Sequence, residues 1–281
     1  MKVLFVASEC APFMKTGGLA DVVGALPKAL AHAGVEVRVL LPAYRALAPA
    51  VAAGTEVFAR VDPVYGSLRV VAVEAEGLSL LLLLAPHLFD RPGNPYVDGS
   101  GRDWPDNHLR FGALARVAAL LAREGAGDVL PDVVHAHDWQ AGLAPAYLAW
   151  EQGRRVGTVT TIHNVAFQGV FPATAAQELW LPPSAFSVDG YEFYGRVSFL
   201  KAGLIYADRI TTVSPTYARE LMLPEFAFGF EGIIASRRAH LSGILNGTDL
   251  DVWNPATDPH LAATYGADTM GERAANRRAL L

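Results

Sequence analysis

The chain has 281 residues, of which 52% are hydrophobic and 18% are charged. This composition excludes a disordered segment, and the length suffices for one large hydrophobic core or two smaller ones. A formal net charge of −5 at pH 7 excludes a general attraction to nucleic acid or to an anionic membrane, so we expect neither as a partner. The single cysteine, Cys10, excludes an internal disulfide framework and favours a cytoplasmic location.

The first forty residues predict the start of a doubly wound α/β domain. Residues 2–8 form a continuous apolar run, which is typical of a strand buried on both faces of a parallel sheet. After a glycine-bearing loop, apolar residues recur at helical spacing from Leu19 to about Gly34, with a kink expected at Pro27. Residues 35–41 predict a second strand, which completes a Rossmann-like β-α-β unit.

The middle of the chain departs from this alternation. Residues 56–61, 68–74 and 78–85 are strand-like and joined by short polar turns, so we expect an antiparallel β-meander inserted on the sheet. Residues 90–103 form a loop rich in glycine, proline and asparagine, and residues 107–123 have the apolar spacing of a helix. The most apolar run, residues 78–85, is far shorter than the ~20 residues that cross a bilayer.

Strand and helix then alternate again. Residues 132–135, 158–163 and 209–213 predict parallel strands, each followed by a polar turn and a helical segment. Residues 262–281 look helical but end without a stop signal, so we expect the chain to break off within an element.

A candidate anion site lies between the first strand and the first helix, at residues 15–21. Adjacent Gly17 and Gly18 let the backbone approach a phosphate closely, and Lys15 adds one of only four lysines in the chain. The segment matches neither a P-loop nor the dinucleotide fingerprint, so an ordinary glycine turn with a solvated lysine is the alternative.

A second polar cluster follows two predicted parallel strands. His135, His137 and Asp138 end one strand, and His163 and Asn164 end another. Because the carboxyl ends of parallel strands line the ligand crevice, these side chains are expected to converge on a polar ligand. A metal site built from His137, Asp138 and His163 is an alternative, as are histidines that serve only structure, with His135 the best candidate for that role.

Two loops combine aromatic side chains with carboxylates and amides. Residues 90–96 and 189–194 carry the chemistry that stacks on sugar rings and bonds their hydroxyl groups. Ordinary loop packing is the alternative for both.

Several segments in fixed order resemble the bacterial glycogen synthases and plant starch synthases of glycosyltransferase family 5. They are KTGGLADVVGALP at residues 15–27, DRPG at 90–93, VHAHDW at 134–139, TIHN at 161–164, KAG at 201–203, TVSPTY at 212–217 and LNGTD at 245–249. The resemblance implies a retaining transferase that moves glucose from ADP-glucose to the non-reducing end of an α-1,4-glucan. These two substrates are the implied partners, and no cofactor and no metal are implied.

By motif match, the resemblance also implies roles for particular residues. The catalytic residues would be Asp138 and His163. The donor-binding residues would be Lys15, Thr16, Gly17, Gly18, Asp21, Asn164 and Asn246. The acceptor-binding residues would be Glu9, Tyr96 and Trp139.

The implied domain organisation is the N-terminal half of a GT-B fold. Residues 1–250 would form the Rossmann-like, acceptor-side domain, and residues 251–281 a linker or the start of the C-terminal domain. A further α/β domain needs ~150 to 200 residues, so we expect an N-terminal fragment that is inactive alone. A non-catalytic glucan-binding module and a metallo-enzyme are the alternative functions.

Overall fold

The computed structural model describes residues 1–125, 127, 130–250 and 253–281. Its strands are β1 (Lys2–Val6), β2 (Glu36–Pro42), β3 (Thr55–Asp62), β4 (Gly66–Ala75), β5 (Leu78–Leu84), β6 (Val133–His137), β7 (Gly157–Ile162), β8 (Val170–Phe171), β9 (Glu192–Phe193), β10 (Arg196–Ser198), β11 (Arg209–Thr212) and β12 (Leu241–Gly243). Its α-helices are α1 (Gly18–His32), α2 (Ala48–Ala53), α3 (Pro86–Phe89), α4 (Asn107–Glu124), α5 (Leu143–Trp150), α6 (Thr174–Glu178), α7 (Phe199–Tyr206), α8 (Pro215–Glu220), α9 (Pro224–Ala227), α10 (Glu231–Ser236) and α11 (Arg273–Leu280).

Nine strands of the described residues form one sheet in the order β12-β11-β7-β6-β1-β2-β5-β4-β3. Its pairs are parallel except β3 with β4 and β4 with β5. The predicted α/β class, parallel strands and antiparallel meander are therefore confirmed. The meander joins the sheet through β5, which runs parallel to β2. Strands β8, β10 and β9 form a separate small antiparallel sheet.

The core lies on both faces of β1 and its neighbours. Phe5 and Val6 are fully buried, as the continuous apolar run of residues 2–8 predicts. Helices α5 and α7 pack closely because glycines face each other: a Cβ added at Gly142 would lie 2.1 Å from the backbone oxygen of Phe199, and one at Gly203 would lie 3.1 Å from the Cα of Gly142.

Contacts divide the chain into two compact units, Met1–Leu245 and Asn246–Leu281. In the second unit, the predicted helix over residues 262–281 is observed in part, as α11 preceded by a 3₁₀ segment at Ala267–Glu272. The predicted domain boundary after residue 250 falls on residues 251–252, which lie outside the described residues, and it stays a prediction. The kink expected at Pro27, which lies inside α1, also stays a prediction.

Candidate active site at the carboxyl edge of the sheet

Apart from Tyr96, the predicted site residues of the first unit follow the carboxyl ends of three adjacent strands. Glu9 and residues 15–18 follow β1, Asp138 follows β6, and His163 follows β7. Strand β1 pairs with β2 on one side and β6 on the other, so the strand order reverses at this point. A crevice at such a reversal is where open α/β sheets bind ligands.

Asp138 is held in an unusual backbone conformation, with φ 55° and ψ −166°. Its side-chain Oδ1 accepts hydrogen bonds from the backbone N–H groups of His163, at 2.7 Å, and Asn164, at 3.4 Å. Its own N–H donates to the carbonyl of Thr161 at 2.9 Å. A positive φ in a residue other than glycine costs about 1–3 kcal/mol and is concentrated at functional sites. The structure therefore brings Asp138, His163 and Asn164 together, as the sequence predicts.

Asp138 is a buried carboxyl group with an abnormal acidity. Burial raises its pKa from 3.8 to about 7, although the backbone hydrogen bonds from His163 and Asn164 act in the opposite direction. The negative charge of Glu9 raises the pKa further. A carboxyl group with a pKa near neutrality in a crevice is typical of a functional site.

Three histidine side chains close to this carboxyl group in the fold, those of His135, His137 and His163, contact one another. The ring of His137 stacks on that of His135, with centroids 4.3 Å apart, and its Nδ1 lies 3.0 Å from Nε2 of His163. Burial lowers the pKa of His135 to about 3 and that of His163 to about 4, and it lowers the pKa of His137 well below its usual value. All three rings are therefore neutral at pH 7.

The structure gives no support to the metal-site alternative. Among the residues that it describes, no group of three or more histidine, cysteine, aspartate or glutamate side chains is arranged to hold a metal ion. His137 Nδ1 and His163 Nε2 face each other, and Asp138 bonds backbone amides.

The loop at residues 15–18 differs from the open phosphate cradle that its sequence suggests. Glu9 is buried, and its Oε2 accepts the backbone N–H groups of Thr16, at 2.5 Å, and Gly17, at 3.1 Å. Its Oε1 accepts the hydroxyl group of Thr16 at 2.6 Å. Of the two glycine amides expected to meet an anionic ligand, that of Gly17 is thus bound to a carboxylate of the protein itself.

The remaining groups of this loop lie at the N-terminus of α1. Gly18 is the first residue of the helix, and the preceding Gly17 supplies no side-chain cap. Lys15 Nζ lies 2.6 Å from a carboxylate oxygen of Asp21, and both side chains are more than half exposed. An exposed ion pair contributes only about 0–1 kcal/mol, so an incoming anion can compete for Lys15.

Tyr96 reaches Glu9 from the loop that precedes α4. Its hydroxyl group donates to Oε1 of Glu9 at 2.5 Å and lies 2.8 Å from Oγ of Ser8. Burial raises the pKa of Tyr96 far above its usual range, so the phenol stays protonated and remains a donor. The predicted acceptor residues Glu9 and Tyr96 are therefore in direct contact.

Two residues that the sequence analysis missed hold this loop. Arg110 is buried and donates to the carbonyls of Leu88, at 2.8 Å, and Pro95, at 2.7 Å. Asn107 accepts from Arg110 at 2.6 Å and donates to the carbonyl of Tyr96 at 2.9 Å. The available signal was an arginine within the apolar stretch of the predicted helix over residues 107–123.

Other predicted site residues lie apart from these contacts. The indole ring of Trp139 is buried among Phe111, Phe171 and Phe199. Asn246 is the first residue of the second unit. The roles predicted for both stay predictions.

Of the two aromatic loops, residues 189–194 expose their last side chain. Tyr194 is 79% exposed at the turn between β9 and β10, and the buried Lys201 donates to the backbone carbonyl of Glu192. Sugar binding by residues 189–194 stays a prediction.

No helix within the described part of the chain is both long and apolar enough to span a membrane.

Comparisons with known proteins agree with these features. A family model described as the starch synthase catalytic domain matches residues 2–236. The glycogen synthase of Roseobacter denitrificans is 57% identical over 281 residues, which cover 100% of this chain and 59% of that protein. The glycogen synthase of Methylocella silvestris is 52% identical over 282 residues, which cover 100% of this chain and 58% of that protein.

A solved structure is also similar over nearly the whole chain. It is the catalytic domain of starch synthase IV from Arabidopsis thaliana, bound to ADP and acarbose, with a TM-score of 0.78 and 30% sequence identity. The match covers 99% of this chain and 58% of that one. The chain thus spans less than two thirds of the length of the relatives it matches.

Proposed function

The chain belongs to the starch synthase catalytic domain family, and from this premise we propose that it supplies the N-terminal, acceptor-side part of a glycogen synthase. The resemblance to glycosyltransferase family 5 and the GT-B fold class are confirmed. The proposed reaction transfers glucose from ADP-glucose to the non-reducing end of an α-1,4-glucan, with retention of configuration. No cofactor is proposed.

One observation carries the proposal: the buried Asp138 carboxyl group binds the amides of His163 and Asn164 at the sheet edge where the neighbouring strand β1 leads, through Lys15, to the N-terminus of α1. This arrangement offers polar groups for a sugar next to positive groups for a phosphate. Cleavage of the bond between glucose C1 and the diphosphate builds negative charge on the leaving phosphate and positive charge on the sugar ring. Prearranged groups stabilise such separated charge well, because they need no reorganisation during the reaction.

Different residues would act on the leaving diphosphate and on the glucosyl group. Lys15 and the amide of Gly18, at the positive end of the α1 dipole, would stabilise the leaving diphosphate. Asp138 and His163 would orient the glucosyl group, and Asn164 would bind it beside them. Glu9, Tyr96 and Trp139 would face the acceptor glucan.

The family resemblance implies that a second domain supplies an arginine and a lysine for the diphosphate and a glutamate near the reacting sugar. One oriented donor contributes about 3 to 4 kcal/mol to lowering the barrier. Without two such groups, we expect the chain alone to be slower than the complete enzyme by ~10⁴-fold or more.

Incorporation of radiolabelled glucose from ADP-glucose into glycogen tests the proposal. The complete gene product should incorporate label, and the 281-residue chain should bind ADP-glucose with no measurable turnover. A complete gene product that binds glycogen but neither binds ADP-glucose nor incorporates label would favour the glucan-binding module. Turnover by the chain alone at a rate comparable to that of the complete gene product would refute its dependence on a second domain.

Metal analysis tests the remaining alternative, the metallo-enzyme. If the complete gene product incorporates label in the presence of a chelator, and the purified protein holds no stoichiometric ion, the metallo-enzyme is excluded. Loss of incorporation on chelation, with recovery on adding one ion per chain, would favour it.

A further inference from the structure

We infer that Glu9 is a positioning residue that joins the donor side of the site to its acceptor side. Its carboxylate fixes the donor loop at residues 15–18 and the acceptor residue Tyr96 in one arrangement. The first amide left for the donor diphosphate is then that of Gly18. The inference rests on the proposed function for the identity of the two sides, and on the contacts of one side chain for the link between them.

Four hydrogen bonds occupy the carboxylate of Glu9. Oε2 accepts the amides of Thr16 and Gly17, and Oε1 accepts the hydroxyl groups of Thr16 and Tyr96. Three of the four donors belong to the donor loop, and the fourth lies 87 residues further along the chain. The acceptor capacity of the carboxylate is therefore shared between two distant segments.

These four donors are what stabilises a buried charge. Glu9 is only 3% exposed, and among the described residues no lysine, arginine or histidine forms an ion pair with it. A buried carboxylate without a cation is strongly destabilising unless it is well hydrogen-bonded. Hydrogen bonds to an ionised acceptor are about twice as strong as neutral ones. Loss of any one donor leaves three hydrogen bonds to stabilise the charge, and the carboxylate then changes position relative to the remaining donors.

The segments on either side are themselves held firmly. Ser8, next to Glu9, accepts the hydroxyl group of Tyr44 on its carbonyl at 2.9 Å. Tyr96 is anchored through its carbonyl by Asn107. Because neither segment can move away freely, a displacement of Tyr96 is transmitted through the carboxylate to the amides of Thr16 and Gly17. Coupling of this kind is reciprocal between the two ligands.

The test measures ADP-glucose affinity in variants of the chain by calorimetry. Tyr96→Phe removes a single donor on the acceptor side, and it should weaken ADP-glucose binding by about 3- to 10-fold, since a hydrogen bond to a charged group is at stake. Glu9→Gln should weaken it by about 10- to 100-fold. The double variant should bind no more weakly than Glu9→Gln alone, because the link is already broken.

Tyr147→Phe is the matched control. The buried hydroxyl group of Tyr147, on α5, lies 2.6 Å from that of Tyr65, in the same unit but outside every proposed binding site. This variant should leave ADP-glucose affinity unchanged. If Tyr96→Phe also leaves it unchanged, or if the effects of Tyr96→Phe and Glu9→Gln multiply in the double variant, the inference is wrong.

A ligand-free measurement keeps the inference separate from the proposed function. Amide hydrogen exchange at Thr16 and Gly17, followed by NMR, should be faster in Tyr96→Phe than in the unaltered chain and unchanged in Tyr147→Phe. Equal exchange in all three proteins would overturn the link. Failure of the unaltered chain to bind ADP-glucose would count against the proposed function, and exchange would then still decide the role of Glu9.

Discussion

The abnormal acidity of Asp138 predicts a specific pH dependence of stability. A folded-state pKa of about 7 lies above the ordinary 3.8, so the folded protein binds a proton more tightly than the unfolded chain. The contribution of this group is therefore fully present below pH 4 and is lost as the pH rises through 7. The difference between the two pKa values lowers the free energy of unfolding by about 4 kcal/mol at pH 8.

Asp138→Asn removes this cost while keeping the shape of the side chain. The amide oxygen can still accept the backbone N–H of His163, which the carboxylate binds at 2.7 Å. The variant should equal the unaltered protein in stability near pH 4 and exceed it by up to about 4 kcal/mol at pH 8. Urea denaturation between pH 4 and pH 8 measures the difference in the free energy of unfolding.

The difference between the two proteins is the informative quantity. Burial lowers the pKa of His135 and His163, so their contributions have the opposite sign: they are present above pH 6.5 and lost as the pH falls. These contributions cancel in the comparison. Asp98→Asn is the control, because hydrogen bonds from Ser100 and Arg102 lower the pKa of the partly exposed Asp98, which stays ionised from pH 5 to pH 8. A stability difference for Asp138→Asn that does not change with pH would refute the reasoning.

Four further substitutions test the site and its scaffold. In the complete enzyme, Lys15→Ala should lower kcat/KM for ADP-glucose by about tenfold or more, or ~1.4 kcal/mol, and change glycogen affinity little. Equal losses for the two substrates in steady-state kinetics would contradict the role of Lys15. Arg110→Met should lower the free energy of unfolding by about 2–5 kcal/mol, because the buried carbonyls of Leu88 and Pro95 lose their donor, and an unchanged urea midpoint would exclude this. Gly142→Ala should cost at least about 2 kcal/mol because its Cβ would overlap the Phe199 carbonyl. Gly232→Ala, at a helical position with open space, should be neutral or stabilising by up to about 1 kcal/mol, and equal losses in the two glycine variants would refute the packing argument.

The elements that the sequence predicts well are those set by local patterning. The continuous apolar run of residues 2–8 predicts β1, the alternation of strand-like and helical segments predicts β6 and β7, and helical apolar spacing predicts α4. The convergence of Asp138 with His163 followed from a general rule, that the carboxyl ends of neighbouring parallel strands share one edge of the sheet.

Contacts between distant segments were beyond sequence reasoning. No local pattern indicates that Glu9 accepts hydrogen bonds from the amides of Thr16 and Gly17. A loop whose amides bind an external anion and a loop whose amides bind a carboxylate of the protein can have the same local sequence. The loop before Tyr96 is held by hydrogen bonds from Arg110 to the carbonyls of Leu88 and Pro95, which bury a type of residue that is usually exposed.

A crystal structure of the chain with ADP-glucose tests the central claim most directly. The account predicts diphosphate oxygens within hydrogen-bonding distance of the Gly18 amide and of Lys15. The ion pair between Lys15 and Asp21 is then broken. The glucosyl group lies beside Asp138 and His163. A nucleotide sugar bound at another edge of the sheet, with the ion pair of Lys15 and Asp21 intact, would contradict it.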